Sequence, residues 1–552
     1  MPQQQKNIPY WSMDFETTTT ADDCRVWVYG ACSIQNPDIF VWGKTIDDFV
    51  QFLWNSGNMI GFFHNLAFDG SFIVDWLLHN GYKWVKDDPE PGQFTTLISN
   101  MGKWYQLSIR WANGVMTELR DSLKKLPMSV RAIAQTFELD EGKGDIDYHL
   151  PRPAGYEPTR DELDYLRRDV QIVAYAIRQQ LQEGMTKLTV GSDSLAQYKD
   201  MTGKKIFDKY FPILNEDIDA DIRKAYRGGF TYADPRFTRT RQGAGKVYDV
   251  NSLYPYIMYD RLLPYGTPSF FEGEPPKDGL WISSVMMTAK LKPGHIPCIQ
   301  VKDSPALAAT EYQRNITEPV GLYMTSVDWE LWNRHYDITV LGWGGGWKFA
   351  GRRGFFKDYI EKWMRVKAES TGGMRAIAKL HLNSLYGKFA TNPNVTGKVP
   401  VLVDGAVKLV MGEPETRNPV YTAMGVFITA YARELTISAA QENYDVFAYA
   451  DTDSLHLLTE VEPENLRIHR SDLGAWKHEY DFTDSLYMRA KAYAEVKVNG
   501  ETEIHIAGVP ESITSKLGID DLVSGRKFSG KLSPSRVPGG IVLEDVGFTL
   551  TY

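Results

Sequence analysis

The chain has 552 residues, more than one hydrophobic core organises, so at least two domains are expected. With 43% hydrophobic, 24% charged and 13% aromatic residues it can bury sizeable cores, which excludes a disordered or fibrous protein. Lys and Arg number 61 against 70 Asp and Glu, a net charge of -9, which excludes a protein that coats nucleic acid unselectively.

The opening MPQQQKNIPYW has no apolar signal core, and no run approaches the ~20 apolar residues of a membrane span, so a soluble, cytoplasmic protein is expected. Up to about residue 190, WSMDFE, VWVYGACSI, MIGFFHN, FTTLIS and WYQLSIRW read as strands ahead of helical stretches, the order of an α/β domain. The clearest helix is TRDELDYLRRDVQIVAYAIRQQLQEG. Thr159 and Asp161 stand near its start, Leu163, Leu166, Val170, Val173 and Ile177 have helical spacing, and Gly184 stops it. GMTKLTVGSDS reads as the connection to a larger second region. There GKVYDVNSLYPYIMY predicts a strand and a turn, and DYIEKWMRVKAESTGGMRAIAKLHLNSLYGKFA predicts two helices separated by Gly372 and Gly373. YDVFAYADTDSLHLL has the shape of a β-hairpin. Pro and Gly clusters at 264–280, 342–354 and 392–420 predict insertions or mobile loops, and the last 30 residues a small β-containing module. The expected class is a multidomain chain, α/β followed by α+β. Cys24, Cys32 and Cys298 have neither metal-ligand spacing nor a disulfide framework, so a reducing compartment is expected and no zinc.

In the first region Asp14 and Glu16 lie two apart on a strand and share a face. Asn65 and Asp69 are four apart, as are Tyr165 and Asp169, so each pair shares a helix face. Four clustered carboxylates repel one another unless cations neutralise them, and hard oxygen donors select Mg²⁺ or Mn²⁺. Two such ions ~4 Å apart activate a water and stabilise the leaving oxygen of a phosphodiester. Tyr165 is placed to orient that water, and Lys143 to offset charge on the phosphate. His64 is expected to be a structural histidine with no proton-transfer role.

In the second region Asp249 ends a strand and Asp453 sits at the hairpin turn. Two ions held by these carboxylates, with the Val250 carbonyl as a further oxygen donor, make a site for nucleotidyl transfer. Asp451 lies two residues before Asp453, with its role left open. Arg375, Lys379, Asn383 and Tyr386 fall along one stripe of a helix, where the cations face a triphosphate and the Tyr386 ring stacks on a base. Tyr254, five residues past Asp249, is near enough to lie under the incoming sugar.

DFET with FHNLAFD and YLRRD resembles the three exonuclease motifs of proofreading DNA polymerases of the DEDD type with tyrosine. DVNSLYP, KLHLNSLYGKFA and YADTDS resemble the three polymerase motifs of family B. With YRGGF, TAYAR and KAY added, the chain is similar to the protein-primed members of that family from about residue 10 to 550. The resemblance implies an RNase H-like 3′→5′ exonuclease domain (1–189) and a right-hand polymerase domain (190–552). The palm would occupy about 190–291 and 422–490, a first insertion 292–350, fingers 351–390, a second insertion 391–421 and a thumb 491–552. By matched position, Asp14, Glu16, Asp69 and Asp169 would bind two exonuclease ions, assisted by Tyr165 and Lys143. Thr17, Asn65, Phe68, Ser122 and Leu123 would hold a single-stranded 3′ end. Asp249 and Asp453 would bind the polymerase ions, Tyr254 would gate the sugar, and Lys367, Lys379 and Tyr386 would bind the nucleotide. Tyr226, Gly228 and Gly229 would touch template and link the two activities. Ser252, Thr429, Arg433, Lys491 and Tyr493 would hold the primer terminus or the priming protein.

The implied function is DNA-directed DNA synthesis with protein-primed initiation, strand displacement and proofreading. The partners would be template and primer DNA, dNTPs and a terminal protein, with the chain a monomer or a heterodimer with that protein. Two alternatives stay open: a conventional nucleic-acid-primed family B polymerase and a catalytically inactive scaffold. The acidic total is uneven along the chain. Residues 352–400 hold ten Lys or Arg against three acids, and 524–536 hold four cations and no acid, so fingers and tail are expected to grip phosphates.

Overall fold

The computed structural model describes residues 8–139, 146–148, 150–302 and 310–550. The first eight-stranded sheet runs, edge to edge, Phe40–Gly43, Val26–Ser33, Tyr10–Thr17, Met59–Phe63, Met116–Asp121, Trp104–Arg110, Gln93–Ile98 and Lys83–Trp84. Its central strand, Tyr10–Thr17, is antiparallel to Val26–Ser33 and parallel to Met59–Phe63. The Leu66–His79 helix packs its apolar side on one face through Leu66, Phe72, Ile73 and Leu77. The Arg160–Gln182 helix covers the other through Val170, Val173 and Ile177. It begins where the sequence places it: Thr159 and Glu162 form a reciprocal capping box, and Gly184 follows at φ 79°.

The second sheet is antiparallel, in the order Thr502–Ile506, Ala492–Lys497, Trp476–Arg489, Gly245–Val250, Ser454–Leu457, Phe447–Asp451, Thr231–Ala233. Beneath it runs the Thr422–Glu442 helix, apolar on nearly every side and therefore buried along most of its length. The Lys357–Glu369 and Gly372–Phe389 helices pack against each other beside this core. A four-stranded sheet is built from Leu263–Phe271, Tyr336–Arg352, Leu280–Leu291 and Asn315–Thr325. Two long hairpins complete the chain, Asn394–Val403 with Ala406–Thr416 and Lys527–Val537 with Gly540–Thr549. The tip of the last hairpin reaches the first sheet's layer. Gly539 N–H donates to Asp75 at 3.3 Å, and Ile541 and Val542 join that core.

Three local expectations are corrected. The turn after Gly245–Val250 continues into a helix, Leu253–Asp260, which starts from Ser252 at φ 56°. Gly372 and Gly373 open the second helix rather than separate the two; the break falls at Ser370 and Thr371. The Pro- and Gly-rich stretches at 264–280, 342–354 and 392–420 are largely strand, with bulges that absorb their irregular residues. Cys24, Cys32 and Cys298 are free and buried. Among the described residues no helix is long and apolar enough to cross a membrane.

Candidate active sites

The first site lies where the central strand of the first sheet meets two helices. Asp14 and Glu16 alternate with buried Met13 and Phe15 on the strand. Asp69 lies in the first turn of the Leu66–His79 helix, which starts from Asn65 in the left-handed region at φ 80°. Asp169 comes from the Arg160–Gln182 helix. Burial, with Asp169 close by, pushes the Asp14 carboxyl up to about 8. Burial and the neighbouring carboxylates also raise Glu16 and Asp69, and burial raises Asp169. Among the described residues no three carboxylate, imidazole or thiol side chains stand in chelating geometry, so the closeness of the four shows in their mutual effect on titration. The donor set nevertheless fits hard divalent cations: four carboxylates of like charge, with Asp69 Oδ1 buried and without a hydrogen-bond partner.

Tyr165 and Asp169 lie together on one helix, and Tyr165 interacts electrostatically with Asp169 and with Tyr148, which in turn acts on Glu16. Tyr148 went unnoticed in the sequence, although it stands in the same KGDIDYH string as Lys143; Lys143 itself lies outside the described residues. His64 is a structural histidine, held between the Ser122 hydroxyl at 3.0 Å and the Met128 carbonyl at 2.8 Å.

The second site is at the end of the antiparallel sheet. Asp249 stands between Ser454 on one neighbouring strand and Lys477 on the other. Burial and Asp453 together push the Asp249 carboxyl up to about 7, and Asp453 is raised by its own burial. Val250 and Asp453 are joined through the backbone, Val250 N–H donating to the Asp453 carbonyl at 2.9 Å. Asp453 occupies a tight turn with Thr452 at φ 63°, an unfavourable conformation for a β-branched residue. Three neighbours hold that turn. Thr452 N–H donates to the Phe230 carbonyl at 2.6 Å, Thr436 donates to the Thr452 carbonyl at 2.7 Å, and Gly229 packs so closely that a Cβ there would lie 2.7 Å from the Thr452 hydroxyl. Gly229 therefore links YRGGF to the turn that carries Asp453 through its missing side chain, whereas a Cβ on Gly228 would meet open space. Tyr226 is half-buried beside them.

Arg375, Lys379 and Asn383 are exposed on one face of the Gly372–Phe389 helix, with Tyr386 half-buried below them. Burial lowers the Lys367 ammonium, and Lys379, Arg375 and Lys477 lower it further, so these four cations share one patch. Lys367 Nζ stands 3.5 Å from the Ser252 hydroxyl. The Tyr386 ring stacks on Tyr254, with centroids 3.8 Å apart and planes 16° from parallel, and both phenols sense Asp453. Asp451 is engaged elsewhere: both its oxygens lie 2.9 Å from Lys491 Nζ, and Thr231 donates to it at 2.8 Å. Tyr493 packs its ring 4.9 Å from Tyr449 in the same cluster.

Three of the residues expected to contact DNA or a priming protein have their side chains buried and engaged within the chain. Arg433 is 2% exposed, and its guanidinium is consumed by Asp328 at 2.7 Å and the carbonyls of Arg227 and Gly228. Thr429 spends its hydroxyl on the carbonyls of its own helix. Ser122 has no exposed surface and donates to Phe63. These side chains shape the surface from beneath. Thr17 is nearly buried, Asn65 is exposed, and Phe68 and Leu123 are half-buried around the first site.

The model of the family described as DNA polymerase type B, organellar and viral, matches residues 54–157 and 151–469. The DNA polymerase of Bacillus phage Nf is 44% identical over 98% of this chain and 99% of its own length. That of Bacillus phage phi29 is 43% identical over 99% and 100%, and that of Streptococcus phage Cp-1 is 32% identical over 98% of each. The solved structure of phi29 DNA polymerase with primer-template DNA and incoming nucleotide superimposes with a TM-score of 0.95 at 42% identity, covering 99% of this chain and 100% of that one. The identities and the fold agree along the whole length, and the chain belongs to the type B DNA polymerases of organellar and viral origin.

Proposed function

We propose that this DNA-directed DNA polymerase begins synthesis on a hydroxyl of a terminal protein, displaces the non-template strand as it advances, and proofreads with a 3′→5′ exonuclease. The observation that supports synthesis joined to proofreading is the presence, in one chain, of two separate carboxylate sites on two different sheets, each with raised pKa values. The relatives of solved structure were captured with primer-template DNA, with incoming nucleotide and with single-stranded DNA, which supports the same ligands here.

Residues 1–189 are assigned to the exonuclease and 190–552 to the polymerase, with first insertion, fingers, second insertion and thumb at the boundaries given above. Asp249, Asp453 and the Val250 carbonyl would hold the polymerase's Mg²⁺ or Mn²⁺ ions, and Asp14, Glu16, Asp69 and Asp169 those of the exonuclease. Bound ions supply a lowered pKa for the attacking hydroxyl or water and a counter-charge for the leaving oxygen. The chain's own groups do the rest. Lys367, Lys379 and Arg375 neutralise the triphosphate. Tyr254 and Tyr386 part to admit base and sugar, Tyr254 excluding a ribose 2′-OH. Asn383 lies on the same face as the cations. Tyr165 and Tyr148 hold the hydrolytic water at Glu16 and Asp169, and Thr17, Asn65, Phe68 and Leu123 line the path of the frayed 3′ end. Tyr226, Gly228 and Gly229 contact template, while Ser252, Lys491 and Tyr493 steady the primer terminus.

The test is transfer of the first dNMP onto purified terminal protein with template DNA present. A labelled protein–dNMP adduct supports the reading. Extension of annealed oligonucleotides without any adduct instead makes the enzyme a conventional nucleic-acid-primed polymerase.

A further inference from the structure

Under the catalytic hairpin runs a buried polar chain that none of these roles uses. Glu495, on the Ala492–Lys497 strand, has no exposed surface. Its carboxylate is nonetheless hydrogen-bonded by three side chains: His456 Nδ1 at 2.7 Å, the Tyr480 hydroxyl at 2.8 Å, and the Tyr487 hydroxyl. An ionised carboxylate withdrawn from water persists only where donors replace its solvent in this way.

His456 is 2% exposed. With Nδ1–H given to Glu495, its Nε2 faces the Ser454 hydroxyl at 3.4 Å. Ser454 Oγ in turn accepts the Asp451 backbone N–H at 3.2 Å. Ser454 is paired in register with Asp249 across the sheet and follows Asp453 in sequence. The Asp453 N–H donates to the Asp451 carbonyl at 2.8 Å. A chain of polar contacts thus leads from Glu495 through His456 and Ser454 to the backbone of the turn that presents Asp453.

A Ser–His–carboxylate order also suits nucleophilic catalysis. Here the serine oxygen is engaged with the Asp451 amide and locked in sheet register, so the arrangement sets geometry. Burying polar groups is often no more stabilising than a well-packed apolar core, so directionality is what the hydrogen-bonded pair adds.

We propose that Glu495 and His456 are positioning residues for nucleotidyl transfer, fixing the turn at 451–453 through Ser454 and with it the separation of Asp453 from Asp249. The proposal rests on the reading of Asp249 and Asp453 as the polymerase metal ligands.

The test titrates Mg²⁺ in primer extension by the full chain carrying Glu495→Gln or His456→Asn. Degradation of single-stranded DNA by the same preparations serves as the internal control. Glutamine offers one acceptor where three donors converge. Asparagine keeps a donor toward Glu495 but drops the Ser454 contact, and it decides the question if the glutamine variant does not fold. The expected result is a rise of roughly tenfold in the Mg²⁺ concentration for half-maximal extension, with degradation and its Mg²⁺ dependence unchanged. An unchanged Mg²⁺ midpoint, or a parallel fall of both activities, overturns the proposal. Asp453→Ala, run alongside, separates this failure from that of the underlying reading: if that variant still extends primers, the assignment of the site itself is wrong.

Discussion

Gly229→Ala isolates the contact between YRGGF and the catalytic turn. A Cβ at this position would stand 2.7 Å from the Thr452 hydroxyl and 2.8 Å from its methyl, against the 3.4 Å of ordinary contact. One of the two backbones must therefore yield by about 0.7 Å. Thr452 cannot yield alone: it sits at φ 63° between bonds to Phe230 and Thr436, and the next residue is Asp453. Since a displacement of ~1 Å at a reacting centre costs on the order of a hundredfold, the variant should lose between tenfold and about a hundredfold in kcat for primer extension. Degradation of single-stranded DNA should be unaffected, because the first site shares no element with this turn. The assay is steady-state single-nucleotide addition with exonuclease activity measured on the same preparation. Wild-type kcat for extension, or equal loss of both activities, refutes the reasoning.

Arg433→Met should lower the stability of the whole chain, because it strips the bonded guanidinium from Asp328 at 2% side-chain exposure and leaves Arg227 as its weaker cationic neighbour; about 3 kcal/mol is expected, read from denaturant unfolding. The same pair gives a pH dependence. Burial raises the Asp328 carboxyl, but Arg433 and Arg227 outweigh it and hold it below 3.8. Its contribution is therefore fully present above that value and is lost as pH falls through the depressed pKa, a loss that Asp328→Asn should remove from the unfolding profile. Lys491→Ala should remove the cation paired with Asp451, leaving its Thr231 bond, and raise the KM for primer-template more than it lowers kcat, measured by extension at varied DNA concentration. DNA binding should weaken steeply with salt despite the acidic total, the logarithm of affinity falling linearly with that of salt concentration; a flat profile in filter binding contradicts a phosphate grip by the cations of 352–400.

What the sequence discloses is local. Alternating apolar residues around Asp14 and Asp249, the capped helix from Thr159, and the hairpin around Asp453 all carry their period in a dozen residues, whereas the grouping of the carboxylates into two sets comes from the motifs' resemblance to those of family B polymerases. What it conceals depends on partners far along the chain. Nothing local in the sequence shows that Arg433 is buried against Asp328, over a hundred residues earlier. Glu495 carries no local signal of burial, which comes from His456 and two tyrosines closing on it. The strands at 394–403 and 406–416 contain Pro400 and Pro414, which break the alternation by which strands are recognised, and so they read as loops. The helix after Ser252 begins from a left-handed residue and spans only eight residues, too few to show a period. Tyr148 has no periodic neighbour to flag it and is found only because the fold brings Glu16 and Tyr165 to its hydroxyl.

The central claim is that one chain holds two independent active sites. It is tested most directly by measuring primer extension and single-stranded DNA degradation side by side for Asp453→Ala and Asp14→Ala. The account predicts that Asp453→Ala abolishes extension and spares degradation, and that Asp14→Ala does the reverse. Normal extension by Asp453→Ala, or loss of both activities in either variant while it remains folded, contradicts it.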